Sequence, residues 1–226
     1  MSVYSYTLAP NDAPPLGLIV LQTDETIERD MRRLLGDAPL YVTRVASAPM
    51  VTSETLQRMA NEISGAASLL PQAAEFSVIG YGCTSGTIAA GFDAIQKKIK
   101  DAKSEAIVTT PSTASIKALK KLNIYKVAIF TPYSKKLNDE VLEFFKKENF
   151  EIRANSYFNI ESDIDIGKVD PNYLYEVLSK MDLNGADALF ISCTALPALS
   201  IIDKLEEKLN VIVLSSNQTL IWDTLN

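Results

Sequence analysis

Short apolar runs alternate along this chain with segments whose apolar residues return every three or four positions. Leu16 to Leu21 reads as a buried strand, and Thr26 to Leu35 as a helix with Ile27, Met31, Leu34 and Leu35 on one face. Leu40 to Ala46 reads as the next strand, Ser53 to about Leu70 as a helix, Phe76 to Gly80 as a strand and Gly86 to about Lys100 as a helix. A short strand at Ala106 to Thr109 and a helix from Pro111 to Leu122 follow. The pattern then restarts, with strands at Lys126 to Phe130, Phe150 to Tyr157, Ala188 to Ser192 and Val211 to Leu214. Its helices fall at Lys135 to Lys147, Pro171 to Met181, Ala198 to Leu209 and Thr219 to Leu225. Repeated βα units build parallel sheets covered by helices on both faces, so the fold class is α/β.

The restart is a repeat. Leu18-Ile19-Val20-Leu21 falls on Val127-Ala128-Ile129-Phe130 at an offset of 109 residues. The only two cysteines, Cys83 and Cys193, are 110 residues apart, and each follows an apolar run and precedes a threonine. Two pseudo-symmetric Rossmann-like lobes with parallel sheets follow, with the active site expected in the cleft between them. The first lobe takes residues 1–115 plus 214–226 and the second 116–213, because the closing Val211 to Leu225 unit is expected to cross back to the first lobe. Each cysteine is expected at the carboxyl end of a strand, facing a helix amino terminus whose N–H groups favour a thiolate.

Composition narrows the chemistry. At 226 residues and 47% hydrophobic content the chain can bury ample cores. Met1 to Pro15 lacks the basic start and apolar stretch of a signal peptide, and no apolar run is long enough to span a bilayer. The expected location is the cytoplasm, where both thiols stay free. A net charge of −6 argues against nucleic acid as a partner. Histidine is absent, which removes Ser-His-Asp triads, Cys-His pairs and His-ligated zinc. Acid/base chemistry near neutral pH is left to cysteine, perturbed carboxylates, tyrosine or lysine. Neither a cofactor nor a metal is expected. No Gly-x-Gly-x-x-Gly with a downstream acidic partner points to a dinucleotide. Homo-oligomerisation is left open. Lysine is absent up to Gln96, while sixteen lysines and one arginine follow it, a pattern that a chain joined from two homologues with a seam near Gly91 to Lys97, or drift in local composition, would give.

The loop Gly80-Tyr81-Gly82-Cys83-Thr84-Ser85-Gly86-Thr87 combines a thiol with small residues that let backbone N–H groups approach an anion such as a carboxylate. Ser192-Cys193-Thr194-Ala195-Leu196-Pro197 repeats the thiol with less glycine. One thiolate can take a proton from a carbon acid while the other thiol donates to the opposite face. Alternatively, one thiolate adds to an activated alkene and the other thiol supplies the proton.

With these motifs, and with Thr131-Pro132-Tyr133 and Val213-Leu214-Ser215-Ser216-Asn217-Gln218, the chain resembles the aspartate/glutamate racemase superfamily. Within it the resemblance is to the branch of maleate cis-trans isomerase, arylmalonate decarboxylase and ectoine-utilisation racemase-like proteins. It implies a cofactor-independent isomerase or racemase of a small carboxylic acid, with an arylmalonate-type decarboxylase or a nonenzymatic carboxylate-binding protein as alternatives. It implies Cys83 as nucleophile or first base and Cys193 as acid or second base. Thr84, Ser85 and Thr194 become donors to a substrate carboxylate, and Tyr133 a phenolic hydrogen bond. Decarboxylases of the branch work with only the second cysteine, so two cysteines disfavour that activity. Cys83-Thr84-Ser85 and Cys193-Thr194-Ala195 depart from the Cys-Asn-Thr and Cys-Thr-His of standard glutamate racemases.

Two further departures bear on the substrate. Asp24 and Asp163 stand where maleate isomerases of the resemblance carry asparagine. An ionised aspartate repels a dicarboxylate and pairs with an amino or amidinium group. Asp24 also reads as a cap of the helix that follows it.

Overall fold

The computed structural model of the protein describes residues 3–8 and 14–226. Residues 1–2 and 9–13 of the leading stretch lie outside it. Among the described residues no helix is long and apolar enough to cross a membrane.

The strands form two separate four-stranded sheets, every pairing in both being parallel. The first contains β1 (Leu16–Leu21), β2 (Leu40–Val45), β3 (Val78–Gly82) and β4 (Ile107–Thr109) in the order β2-β1-β3-β4. The second contains β5 (Lys126–Thr131), β6 (Glu151–Tyr157), β7 (Ala188–Ile191) and β8 (Ile212–Ser215) in the order β6-β5-β7-β8. The orders match strand for strand, so the duplication expected from the 109-residue offset is present in the fold. The helices are α1 (Ile27–Leu35), α2 (Ser53–Met59), α3 (Ile63–Ser68), α4 (Thr84–Ala90), α5 (Phe92–Lys100) and α6 (Pro111–Lys121), then α7 (Lys135–Lys147), α8 (Asp163–Gly167), α9 (Pro171–Leu178), α10 (Ile202–Leu209) and α11 (Ser216–Thr224).

Alternation along β1 sorts its side chains onto two faces. Leu18 and Val20 pack with Ile27 and Met31 of α1 and with Leu220 and Ile221 of α11. Ile19 and Leu21 face the other way, into a core that runs without interruption from the first lobe through Phe130, Phe145 and Phe190 of the second. This shared core leaves the lobes little freedom to act as separate bodies.

The closing unit divides differently from the expectation. Its strand, β8, pairs with β7 in the second sheet, with Leu214 opposite Phe190 and Ser215 opposite Ile191. Only α11 leaves that sheet, to pack against α1, α6 and β3. Each sheet already has four strands, so neither needs one from the other.

Local differences have local causes. The helix expected from Gly86 to Lys100 breaks at Gly91, whose φ of +85° suits glycine and whose N–H closes α4 on the Thr87 carbonyl. The helix expected from Ser53 to Leu70 is divided by a tighter turn at Ala60–Glu62. Helix α11 begins earlier than expected because Ser215 caps it, exchanging hydrogen bonds with Gln218.

Candidate active site

Four positions lie just beyond the carboxyl ends of the two central strand pairs: Asp24 after β1, Cys83 after β3, Tyr133 after β5 and Cys193 after β7. In both sheets this is the point where strand order reverses, the place where open α/β sheets leave a crevice. All four side chains are buried, as are Thr84, Ser85, Asp163 and Thr194.

Cys83 has the setting its sequence suggests. It is the residue before α4, in extended backbone, and the Gly86 N–H donates to its Sγ at 3.2 Å. The Ser85 hydroxyl lies 3.9 Å from the same sulfur. Gly86 is required there, because a Cβ at position 86 would fall 2.7 Å from the sulfur. Burial nevertheless pushes the Cys83 thiol up to about 12, the Gly86 N–H offsetting only part of it, while the charges of Asp163 and Asp24 add to the rise. The expected bias of the helix terminus toward thiolate is thus outweighed by burial.

Cys193 departs from the matching setting expected of it. No helix starts behind it; the next element is a single tight turn at Leu199–Ile201. Pro197 disfavours helical backbone in the residue before it, so Thr194–Ala198 runs on as a loop. Cys193 itself takes a φ of +101°, a left-handed conformation unusual for a side-chain-bearing residue, and its N–H is held by the Ser216 hydroxyl at 3.0 Å. Burial raises this thiol strongly and the charge of Asp163 adds to it, against the favourable Tyr133 hydroxyl and Ala195 N–H. Burial, and then the neighbouring Cys193 and Cys83, raise the Tyr133 phenol, so the second lobe's phenol stands near both thiols.

Hydrogen bonds across the lobes fix this arrangement. The Thr84 hydroxyl donates to Ser216 Oγ at 2.9 Å, and the Thr194 hydroxyl to the Gly82 carbonyl at 3.1 Å. The Thr26 hydroxyl donates to the Ala195 carbonyl at 2.8 Å. Asn217 Nδ2 donates to the Thr194 carbonyl at 3.0 Å and to Asp30 at 2.8 Å. The hydroxyl protons of Thr84 and Thr194 are therefore engaged in joining the lobes. What remains for an anion from this segment is the N–H groups of Thr84 and Ser85, since that of Gly86 is given to Cys83, and the Ser85 hydroxyl.

The two aspartates come together although 139 residues separate them. Asp24 Oδ1 accepts the N–H groups of Thr26 at 2.7 Å and Ile27 at 2.9 Å, so it does cap α1. Asp24 Oδ2 is buried without a hydrogen-bond partner. Burial is the main reason the Asp24 carboxyl rises to about 6, with the charge of Asp163 adding to it. Asp163 starts α8, a helix too short to show a period in the sequence. It accepts a hydrogen bond from the Thr23 hydroxyl and is raised by its own burial. A backbone clasp delivers it: Val51 N–H bonds the Glu161 carbonyl at 2.8 Å and Asp163 N–H the Pro49 carbonyl at 2.9 Å.

Sequence reasoning missed Tyr81, Thr23, Thr26, Ser216 and Asn217. Tyr81 looked like a strand residue, but its buried hydroxyl has no hydrogen-bond partner and sits beside the Cys83 thiol. Ser216 and Asn217 lay in a motif whose polar run, unusual at the end of a buried strand, was the available signal. Among the described residues no three metal-ligating side chains cluster as a metal site. A surface cleft of about 650 Å³ is lined by Gln72, Glu75, Phe76 and Lys103. It borders the amino-terminal ends of β3 and β4, opposite the thiols.

Residues 16–226 match the family model described as arylmalonate decarboxylase. The maleate isomerase of Geobacillus stearothermophilus is 25% identical over 226 residues, covering 93% of this chain and 90% of that protein. The arylmalonate decarboxylase of Bordetella bronchiseptica is 25% identical over 214 residues, covering 93% and 88%. Among solved structures, the maleate isomerase Iso from Pseudomonas putida S16 superposes with a TM-score of 0.84 at 22% identity, covering 94% of this chain and 91% of its own. A cysteine-to-serine mutant of Nocardia farcinica maleate cis-trans isomerase, with a covalently bound succinylcysteine intermediate, gives a TM-score of 0.85 at 22% identity over the same shares.

Proposed function

The chain belongs to the arylmalonate decarboxylase family, and from that premise we propose that it is a cofactor-independent isomerase or racemase of a small carboxylic acid, with Cys83 and Cys193 as its acid/base pair. The observation that carries this is the position of the two thiols, one from each lobe at equivalent strand ends, with Tyr133 bearing on both. A decarboxylase needs one proton delivered after carbon dioxide leaves; two thiols on opposite sides serve a reaction that removes a proton and returns it. The absence of histidine removes the commonest general base from the chain.

In the proposed step, the thiolate of one cysteine takes the proton from the carbon next to the carboxylate. The electron pair left on carbon delocalises into that carboxylate, which α4's leading N–H groups and Ser85 stabilise. The second thiol then gives its proton to the opposite face and becomes the new thiolate, so the enzyme returns to its starting protonation after one further exchange. An alkene substrate would use the same groups differently: the Cys83 thiolate adds to one carbon while the Cys193 thiol gives its proton to the other, the new single bond rotates, and return of that proton to Cys193 with breakage of the carbon–sulfur bond releases the isomer and restores the Cys83 thiolate. Burial of all the groups excludes bulk water, which would otherwise quench the carbanion. Two free thiols suit a reducing compartment, and the cytoplasm is the location we assign.

Proton NMR in heavy water, over maleate, aspartate, glutamate, arylmalonates and ectoine-derived acids, tests the reading. Deuterium uptake or cis-trans conversion that disappears in both Cys83→Ala and Cys193→Ala supports it. Turnover that survives either substitution, or binding without turnover, overturns it.

A further inference from the structure

The site contains two acidic side chains, and among the described residues no lysine or arginine bonds either carboxylate. The charges of Asp24 and Asp163 reach both thiols, and that of Asp163 reaches Asp24. The guanidinium of Arg44, which reaches this segment, is spent on the backbone carbonyls of Leu21 and Asp24 and on Glu28. Asp24 is 2% exposed and Asp163 4%, so water screens neither. A buried carboxylate with an open oxygen is costly unless a partner completes it; the Thr26 and Ile27 N–H groups serve Oδ1, and the Thr194 hydroxyl, also at Asp24, gives its proton to the Gly82 carbonyl.

We infer that Asp24 Oδ2, with Asp163 beside it, is the binding point for a cationic nitrogen of the substrate, an ammonium or amidinium group carried near the carbon that loses its proton. This rests on the isomerase reading above and names the substrate class within it. A dianionic dicarboxylate would bring two more negative charges against two buried carboxylates, whereas an amino acid or amidino acid brings one charge of each sign. Its nitrogen faces the aspartates, and its carboxylate lies away from them. The cation also changes the thiols: it offsets the two carboxylates that disfavour a thiolate, so ionisation of Cys83 or Cys193 accompanies binding. Before the substrate arrives the thiols stay protonated and react slowly.

Three small alkylating reagents test the subsite without needing the natural substrate. Bromoethylammonium is a cation, iodoacetamide is neutral and iodoacetate is an anion; their rates at Cys83 and Cys193, read by mass spectrometry, are divided by their rates with free cysteine. The expected order is cation, neutral, anion, with about tenfold between the extremes, as two unscreened carboxylates require. Asp24→Asn should shrink that ratio about fivefold, and Asp163→Asn should shrink it less. Glu207→Gln, which removes one exposed charge far from the thiols, should leave it unchanged and controls for overall charge. Circular dichroism checks that each variant is folded, and either aspartate variant suffices for the test. Equal normalised rates for cation and anion, or a ratio that Glu207→Gln shifts as much as Asp24→Asn and Asp163→Asn do, would overturn the subsite. Isotope exchange that ignores the cysteines would instead overturn the isomerase reading while leaving the charge ranking intact.

Discussion

The Ser216 hydroxyl accepts the backbone N–H of Cys193 at 3.0 Å while receiving the hydroxyl proton of Thr84 at 2.9 Å. One oxygen thus fixes the strained backbone of the second cysteine and bonds the residue that follows the first. Ser216→Ala leaves a buried N–H and a buried hydroxyl without this acceptor, a loss of about 1–3 kcal/mol for such groups. Urea unfolding should show that loss. Turnover should fall further than stability accounts for, because Cys193 loses the contact that holds its φ of +101°. A variant that unfolds earlier yet turns over at the wild-type rate would separate the bond from catalysis.

Gly86 gives a test in which intrinsic helix preference and catalysis pull in opposite directions. Alanine is preferred over glycine inside a helix by about 1 kcal/mol, so Gly86→Ala gains on propensity. Yet the added methyl would stand 2.7 Å from Cys83 Sγ and 3.0 Å from the Tyr81 hydroxyl. The sulfur must move off the Gly86 N–H. The expected result is a protein that melts within a few degrees of the wild type and whose Cys83 reacts and turns over at least about tenfold more slowly. Wild-type activity in this variant would show that the thiol's position over α4 is dispensable.

How much of this was legible in the sequence follows from how local each feature is. The backbone setting of Cys83 was legible, since an apolar strand, a small-residue turn and a helix start are all written within a dozen residues, but the burial that holds its thiol protonated was not. Cys193 was legible as a thiol at a strand end but not as a left-handed residue, because its conformation depends on Ser216, which is 23 positions away. Asp24 was legible as a cap because its partners are two and three residues on. The approach of Asp163 was not, because a clasp between Pro49–Val51 and Glu161–Asp163 produces it. The crossover of α11 was anticipated, but the loyalty of β8 to the second sheet was not, since pairing partners of a parallel strand leave no local trace.

The raised Asp24 carboxyl predicts how stability depends on pH. Its value is about 6 in the folded protein, against an ordinary 3.8, chiefly because of burial. Between those values the folded state holds a proton that the unfolded chain releases. Stability therefore falls as pH rises from about 4 to about 6 and then levels, by about 3 kcal/mol in all. Asp163 and Asp30 are raised as well and slope the same way. Asp24→Asn keeps an oxygen for the Thr26 and Ile27 N–H groups and removes the titration. Melting temperatures from pH 4 to 7 should decline in the wild type and decline clearly less in Asp24→Asn; parallel curves would contradict the assignment.

Tyr81 supplies the sharpest separation of structure from reactivity. Its ring is fully buried and its hydroxyl has no hydrogen-bond partner, an arrangement that costs stability unless it has a use. Burial and the neighbouring Cys83 keep the phenol protonated, so it is available to donate when the thiolate forms. A hydrogen bond to a charged sulfur is worth about 1.5–3 kcal/mol, which corresponds to at least about one unit in the thiol's ionisation. Tyr81→Phe removes only the hydroxyl, so the core keeps its shape and the protein should melt at or slightly above the wild-type temperature. The pH at which Cys83 becomes alkylated by iodoacetamide should rise by about one unit, and its rate at a fixed alkaline pH below that midpoint should fall about tenfold. If the alkylation profile of Cys83 is unchanged in Tyr81→Phe, the hydroxyl does not support the thiolate and Tyr81 is a packing residue alone.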